Sequence, residues 1–522
     1  MKIDFNMFKK LRIQYGTHLT IILIVLAVIM IASIGGMISY GVFIQIGGPI
    51  WVRNQFIGLW LTVLLLFFSS QGVYLVVKKN KNILNNMFFI EMAYFSACCL
   101  LSLVMTICYG LVKKIDATIL SFILSIVASF SIYILVVRRR EHTESKSNIV
   151  ESSKYDEKRV FIKWAARISQ IINVFLKILF SLFVTLLAVG SIIIGGLSVT
   201  YPPRGKFTSV PLSDNSGRSL TIHYLCDGPT NSSYPTFMLE GSNGHGLMDY
   251  YGIQAILKEH NRRSCIWDKA GLGYSDYLFS DMYDHKLYYH NFFKSIDEKS
   301  PFIFVGFGAG GETVYNYALE HPEMVSSITF VDVSPALVEW TTQKLLKNLT
   351  NDQYDQEVSS DLANRYGLFG IINGLGVPCG LMPLFFPKNK VYPRETANEV
   401  DWYFLTDKTW ATQKQFLKTL KTNSNNDTFN KTLNGTISIN HIMTAKNEQQ
   451  IIKQVCVLRR LEQNSTDCEN EIRANKLNIE FKRDLLKFDK IIECTMDECD
   501  LGFYIYEGSN YTVQSLIKLY EH

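Results

Sequence analysis

The chain has 522 residues, which leaves room for two or three domains. Its hydrophobic fraction of 48% is high for a protein that lies wholly in water, and the excess falls in the first 200 residues. The net charge of +5 is modest, and the main basic stretch is interrupted by acidic residues, which excludes nucleic acid as the expected partner. These features favour an integral membrane protein whose second half folds in water.

Five apolar runs approach or exceed the roughly 20 residues that cross a bilayer. They are Leu19 to Ile44, Phe56 to Val77, Met87 to Val112, Ala117 to Val137 and Ile178 to Val199. The first run is longer than the core of a signal peptide and has no clear small-residue cleavage site, so we expect it to be retained. The sequence predicts a four-span helical bundle over 1–137, a charged cytoplasmic linker over 138–177 and a fifth span over 178–199.

Basic side chains lie before the first run, after the second, and between the fourth and fifth. Loops rich in lysine and arginine stay in the cytoplasm, so we expect a cytoplasmic N-terminus and an extracellular or lumenal C-terminal part. Lys113 and Lys114 fall on the opposite side and are a mild contradiction. An organellar inner membrane, such as the mitochondrial one, is the alternative. Glu91 lies near the cytoplasmic end of the third run, and its carboxylate is expected to reach the interface.

Seven Asn-x-Ser/Thr sequons follow the fifth run and none precedes it, which agrees with an outer location and predicts a glycoprotein. They begin at Asn231, Asn348, Asn426, Asn430, Asn434, Asn464 and Asn510. Seven of the ten cysteines also follow the fifth run, where disulfides can form and at least one thiol must stay free or pair between chains. Nearness in the sequence makes Cys456 with Cys468 and Cys494 with Cys499 plausible pairs.

A breaker cluster from Tyr201 to Lys206 ends the fifth helix, and short strands then alternate with helices. The predicted strands are Leu220 to Cys226, Thr236 to Leu239, Ser264 to Trp267, Phe302 to Val305, a buried strand that ends before Asp332, Ile437 to Thr444 and Lys490 to Cys494. The predicted helices include Asp249 to Glu259, Leu287 to Ile296 and Thr512 to Tyr520. This order predicts an α/β domain over 200–522, with a mainly parallel sheet covered on both faces and a helical cap over about 336–436.

Four segments in this domain carry a resemblance. In chain order they are YPPRGK with LTIHYLCDG, PTFMLEGSNGHG, RSCIWDKAGLGYSD and the turn GFGAGG within the stretch Pro301 to Pro335. In this order they resemble the α/β-hydrolase superfamily, in particular its membrane-anchored bacterial-type members. The third segment is similar to the family's Asp-Arg-x-Gly-x-Gly-x-Ser-Asp, with Lys269 in place of the arginine. The resemblance implies the α/β-hydrolase fold.

The resemblance also implies a catalytic triad, and two of its three members are missing. The family holds a nucleophilic serine on a strained Gly-x-Ser-x-Gly turn, and Gly308 stands at that position between Phe307 and Ala309. The histidine is expected near Phe503, but no histidine occurs between His441 and His522. Glu448 is the possible acid. Glycine adopts the positive φ of such a turn without strain, so its presence is compatible with an intact fold.

Several other residues are candidates to replace the missing catalytic groups. Gly241 and His245 belong to a turn that helps form the family's oxyanion hole, and with Phe307 and Ala309 they would line an oxyanion-like pocket. His223, His285, His290 and His321 are expected to have structural or surface roles, and Asp332 to bond at the end of a strand. No grouping has metal-ligand spacing, and no glycine-rich turn fits a nucleotide, so neither metal nor cofactor is expected.

The sequence therefore predicts a degenerate, catalytically inactive hydrolase-like domain on a membrane anchor. It would serve as a binding or assembly module, with the lipid bilayer, other proteins of a membrane complex or a small acyl or lipid ligand as partners. The alternative is an active ester or lipid hydrolase that uses a water held by Glu448, His245 or a residue of the cap. A third interpretation is a structural subunit of a larger membrane complex.

Overall fold

A computed structural model describes the chain over 16–46, 55–77, 87–146, 160–200, 202–214, 216–278, 284–333, 346–350, 372–381, 431–433, 435–445, 466–484, 486–494 and 507–520, with isolated positions between 352 and 452. The chain divides into two compact units. The first comprises Met1–Thr200 and Ile372–Phe385, and the second Tyr201–Ile371 and Phe386–His522.

The first unit contains five long helices. They are α1 (Thr17–Ile46), α2 (Gln55–Val77), α3 (Phe88–Leu111), α4 (Ile115–Lys146) and α5 (Val160–Thr200). Each is long and apolar enough to cross a membrane, as predicted. Helices α4 and α5 extend beyond the apolar runs into the predicted linker, of which 147–159 lie outside the described residues.

Two polar contacts link helices of this unit. The expectation that Glu91 reaches the interface is wrong, because its carboxylate is buried and accepts hydrogen bonds from Lys177 of α5. Tyr40 likewise donates to Asp116 at 3.0 Å. Pairing offsets the high cost of placing an ionisable group among apolar helices. Glu91 thus fixes how α3 packs against α5.

A short segment of the predicted cap groups with these helices. The one-turn π-helix Ile372–Gly376 lies in the first unit, where the indole of Trp60 donates to the carbonyl of Gly374. The rest of the predicted cap is described only in short stretches and at isolated positions, so its boundaries remain a prediction.

The second unit is built on an eight-stranded sheet in the order β1-β2-β4-β3-β5-β6-β7-β8. The strands are β1 (Lys206–Pro211), β2 (Ser219–Asp227), β3 (Phe237–Glu240), β4 (Ser264–Trp267), β5 (Phe302–Phe307), β6 (Val325–Val331), β7 (Ser438–Thr444) and β8 (Lys490–Cys494). Strand β2 pairs antiparallel with β1 and β4, and the other neighbours are parallel. The mainly parallel sheet was predicted and is confirmed.

Helices cover both faces of the sheet. The helices of this unit are α6 (Tyr251–Glu259), α7 (Tyr289–Ser295), α8 (Gly310–Glu320), α9 (Thr466–Asp484) and α10 (Glu507–Tyr520). One apolar core joins α7 and α8 to the sheet, and the other joins α6 and α10 to its opposite face. Strands β3, β4 and β5 are buried along their whole length. Burial on both faces explains why these strands are continuous apolar runs without alternation.

Strand β1 and helix α9 are not among the predicted elements. Helix α9 has a mostly polar sequence, so no hydrophobic periodicity marks it. Helix α6 starts later than predicted, because Leu247–Tyr250 forms a 3-10 turn before it.

One disulfide joins two neighbouring strands. Cys226 of β2 and Cys265 of β4 are register partners and are bonded to each other, a pair that sequence spacing does not suggest. Cys468 and Cys494 are also disulfide-bonded, whereas Cys379 is a free, buried thiol. Cys456 and Cys499 lie outside the described residues, so the two predicted pairings remain predictions.

Candidate functional site

The turn after β5 has the backbone of a nucleophile elbow with glycine at its tip. Strand β5 ends at Phe307, and Gly308 follows with φ of +51°. Its N–H donates to the carbonyl of Val331 at 3.1 Å, and its own carbonyl accepts from Gly311 at 3.1 Å. A side chain in this left-handed region costs about 1 to 3 kcal/mol, which glycine avoids. The turn offers backbone groups and no nucleophilic atom.

The elbow packs tightly against the end of β3. A Cβ placed on Gly310, the first residue of α8, would lie 2.5 Å from the carbonyl oxygen of Glu240. Glycine is therefore required there for helix α8 to start so close to the neighbouring strand. Phe307 is buried and packs with its ring 4.9 Å from that of Tyr250, while Ala309 is half-buried at the helix start.

Ser242 occupies the space beside the empty position. A Cβ on Gly308 would lie 2.9 Å from the Oγ of Ser242 and 3.3 Å from its Cβ. The backbone N–H of Ser242 donates to the hydroxyl of Tyr250 at 3.1 Å. In α/β-hydrolases an N–H from this loop helps bind the oxyanion. Here a buried tyrosine of the same chain satisfies that N–H.

His245 lies on the same turn and is oriented by an acid. Its Nδ1 is 3.1 Å from Oδ2 of Asp249, which also accepts the N–H of Gly246 at 2.9 Å. The Asp249 side chain is 4% exposed and the His245 side chain 29%. A carboxylate on Nδ1 sets the tautomer and orientation of an imidazole, as in a catalytic triad. The same contacts also cap the 3-10 turn Leu247–Tyr250, which agrees with a turn-shaping role.

Sequence reasoning misses Ser242, Asp249 and Tyr250. Asp249 carries a usable signal, since an acid three residues after a turn glycine is typical of a helix N-terminus. Ser242 and Tyr250 carry none, because their approach to the elbow depends on the tertiary packing of β3 against β5. Gly241 and His245, which the sequence does single out, lie on the predicted turn.

The loop after β4 holds a buried polar network around Asp268. Its Oδ2 lies 2.8 Å from Nδ1 of His223 and accepts the N–H of Tyr274 at 3.0 Å, while Oδ1 accepts the N–H of Leu247 at 2.9 Å. Burial raises the pKa of Asp268, but the hydrogen bonds and charge of His223 and the two backbone donors outweigh it and lower the pKa overall. The carboxylate is therefore ionised.

His223 connects this network to the start of the domain. Its Nε2 lies 2.6 Å from the carbonyl oxygen of Arg204, which can only accept. The buried ring is thus bonded through both nitrogens, to the carboxylate of Asp268 on one side and to the carbonyl of Arg204 on the other. Ser275 adds a link by accepting the N–H of His223 and donating to the carbonyl of Asp268. The network of Asp268, His223 and Ser275 thus stabilises the loop, and all three side chains are buried.

A buried ion pair lies below the oxyanion-like turn. The Nζ of Lys269 is 2.7 Å from Oε1 of Glu240, with the two side chains 2% and 1% exposed. The hydroxyl of Tyr289 donates to both Glu240 oxygens, at 2.9 and 3.1 Å. Burial raises the pKa of Glu240, although the charge of Lys269 opposes the rise. Lys269 therefore performs a structural task at the position where the family has arginine.

Asp332 is bonded at the end of β6. Its φ is +50°, and its Oδ1 lies 2.7 Å from both the Nζ of Lys482 and the hydroxyl of Thr444. Burial raises its pKa, but Lys482 and Thr444 more than compensate and lower the pKa overall. These contacts are those of a strand-end residue, as its sequence position suggests.

The remaining predicted triad positions are not described. Glu448 and the segment around Phe503 lie outside the described residues. Among the sequons, Asn231, Asn348 and Asn510 are exposed, while Asn426, Asn430, Asn434 and Asn464 lie outside the described residues. The sites of glycosylation therefore remain predictions.

No family model matches the chain, and no curated protein matches it. Several solved structures are similar to the chain. The Cif epoxide hydrolase from Acinetobacter nosocomialis is 13% identical with a TM-score of 0.43, covering 64% of this chain and 97% of its own. A membrane phospholipase A, described as a bacterial virulence factor, is 17% identical with a TM-score of 0.37, covering 69% and 98%. A putative epoxide hydrolase from Pseudomonas aeruginosa is 11% identical with a TM-score of 0.36, covering 61% and 97%.

The second unit has the α/β-hydrolase fold. The strand order, the helices on both faces and the elbow after β5 carry this assignment. The identities with solved hydrolases are too low to transfer an activity, so function must be argued from the site.

Proposed function

We propose that this protein is an integral membrane protein whose α/β-hydrolase-like domain is catalytically inactive as a serine hydrolase and works as a binding or assembly module. The observation that carries the proposal is Gly308, which stands at the tip of an otherwise intact elbow with φ of +51°. Serine hydrolases need an activated hydroxyl there. The bond between the Ser242 N–H and the Tyr250 hydroxyl supports the same conclusion, because it occupies an oxyanion donor.

The ligand would bind at the carboxyl edge of the sheet. Ligands of open α/β sheets bind outside the carboxyl ends of the strands. Ser242, His245, Gly308 and Ala309 gather at this edge and are only half-buried, so they remain reachable. A small acyl or lipid molecule suits this edge, where Ser242 and His245 lie without an activated nucleophile. A protein partner within a membrane complex is the other outcome.

A fluorophosphonate probe tests the proposal on the full-length protein in detergent. Wild type and Gly308→Ser should both remain unlabelled, since a serine without a base is a weak nucleophile. An active serine hydrolase in the same micelles provides the positive control. Stoichiometric labelling of the wild type would overturn the proposal, and loss of that labelling in Ser242→Ala would identify the nucleophile.

A hydrolase that uses a bound water is the second candidate. The His245 and Asp249 pair favours it, because an oriented imidazole beside the elbow could act as a general base. Turnover of short- and long-chain esters should then fall at least about 100-fold in His245→Gln. Absence of turnover across both chain lengths, in protein with the wild-type unfolding midpoint, would argue against this candidate.

The proposal includes the orientation of the protein in the membrane. The basic loops, the sequons after residue 199 and the Cys226–Cys265 disulfide support a cytoplasmic N-terminus and an extracellular or lumenal domain. Treatment with a glycosidase should reduce the apparent mass of the protein. An unchanged mass would favour an organellar inner membrane.

A further inference from the structure

Two histidines and a glutamate meet on the side of the domain where α7 and α8 pack. His290 belongs to α7, His321 caps the C-terminal end of α8, and Glu323 lies in the one-turn helix Pro322–Met324. A potential metal-binding atom of each residue lies within 4.8 Å of those of the other two. The elbow is at the opposite end of α8, so this cluster is separate from the candidate site.

The two rings are stacked face to face. The centroids of His290 and His321 are 3.7 Å apart and the ring planes differ by 10°. The stack therefore brings together two imidazoles, the side chains that most often bind transition metals in proteins.

A buried tyrosine orients the first ring. The Nδ1 of His290 lies 3.3 Å from the hydroxyl of Tyr317, which is buried in the same core. This hydrogen bond orients the His290 ring, as such bonds orient ligand histidines in many metal sites. The Nδ1 of His321 lies 3.5 Å from Oε1 of Glu323, so these two residues already lie side by side.

The spacing suits a small cation after modest side-chain rotation. Donors about 2.1 Å from a tetrahedral ion are roughly 3.4 Å apart, somewhat closer than the upper limit seen here. The Glu323 side chain is 62% exposed and the His321 side chain 28%, so both can turn toward an ion from solvent. The half-buried position of His290 and its bond to Tyr317 leave that ring as the fixed ligand.

We propose that His290, His321 and Glu323 bind a divalent transition-metal cation of the Zn²⁺ class. Two imidazoles and one carboxylate select such ions over Ca²⁺ or Mg²⁺, which prefer oxygen ligands. A water or an outside ligand would take the fourth position. The ion would cross-link α7 to the end of α8 and so stabilise the helix that begins at the elbow. The inference does not depend on whether the elbow is catalytic.

The test uses full-length protein in detergent, purified without a histidine tag and freed of metal. Calorimetric titration with ZnCl₂ should give one ion per chain and raise the unfolding midpoint. His290→Ala and His321→Ala should each weaken binding at least about tenfold, since even indirect partners of a ligand are worth 10- to 100-fold. Exposed His260→Ala is the matched control and should bind like wild type.

Two further measurements test the assignment of the metal ligands. Cobalt in place of zinc should give the visible absorption of a four-coordinate ion without a thiolate charge-transfer band, since the proposed ligands contain no sulfur. Each variant must keep the metal-free unfolding midpoint, which shows that it folds. Unchanged affinity in the double variant His290→Ala/His321→Ala, or a thiolate band, would overturn the assignment.

Discussion

The loop after β4 and the turn after β5 contrast in their polar chemistry. In the loop, Asp268 is 3% exposed and bonded by one imidazole and two backbone donors. In the turn, Gly308 contributes backbone groups alone. A buried carboxylate that loses its partners costs several kcal/mol, whereas a missing surface hydroxyl costs the fold nothing. The contrast separates residues that the fold requires from residues that only a reaction would require.

Breaking the Asp268 network should have the largest effect. Asp268→Ala leaves the buried His223 ring and two backbone N–H groups without their acceptor, so we expect a loss of about 3 to 5 kcal/mol in unfolding free energy. The unfolding midpoint of the full-length protein measures it. Asp227→Ala is the control, because its pair with Lys258 is exposed and worth at most about 1 kcal/mol. Equal losses in the two variants would mean that the network has no special role.

The Lys269 pair should show strong coupling. Lys269→Met strands the buried Glu240 and should cost about 3 kcal/mol, while adding Glu240→Gln should recover part of the loss. The recovery arises because the double variant removes both charges and the introduced amide oxygen can still accept from Tyr289. Unfolding midpoints of the two single variants and the double variant form a mutant cycle. Strictly additive losses would show that the two side chains do not depend on each other.

These buried pairs mark the limit of sequence reasoning. The period and order of the apolar runs predict most strands of the sheet, because burial of both faces imposes a continuous apolar pattern. Lys269 and Glu240 are 29 positions apart, and their contact follows only from the pairing of β3 with β4. The Cys226–Cys265 bond is missed for the same reason, since the register of β2 and β4 sets it and sequence nearness does not.

The sequence predicts the backbone of the candidate site but not the side chains that pack around it. Spacing of glycines around Gly308 indicates the turn and its positive φ, because only glycine adopts that backbone freely. The approach of Ser242 to this turn and the bond from its N–H to Tyr250 depend on side-chain packing. Patterns of hydrophobicity hold no information on such contacts.

His441 offers a pH-dependent contrast with the doubly bonded His223. Its ring is fully buried among Phe330 and Phe488, and burial, aided by the charge of Lys482, lowers the pKa of His441 to about 4. Below the ordinary pKa of about 6.5 the unfolded chain gains a proton that the folded chain refuses, so stability falls as the pH falls. The loss should be about 2 kcal/mol at pH 5.

The variant His441→Phe isolates this contribution. Its unfolding midpoint should change less between pH 7 and pH 5 than that of the wild type. The reason is that the variant has no buried imidazole that must stay unprotonated in the folded state. His260→Gln, altered at an exposed ring, should keep the wild-type pH dependence. An equal fall of the unfolding midpoint in all three proteins would show that other groups cause the sensitivity to acid.

Filling the elbow should have the smallest effect and bears most directly on the contrast. Gly308→Ala should destabilise by about 1 to 2 kcal/mol, since a Cβ at φ of +51° is strained and meets Ser242. Ser242→Gly removes that contact but not the strain, so the double variant should recover only part of the loss. Full recovery would mean that Ser242, and not the backbone, requires glycine at the elbow. A partial recovery, with no ester hydrolysis in Gly308→Ser, would fit a turn that keeps the elbow backbone and lacks catalytic activity.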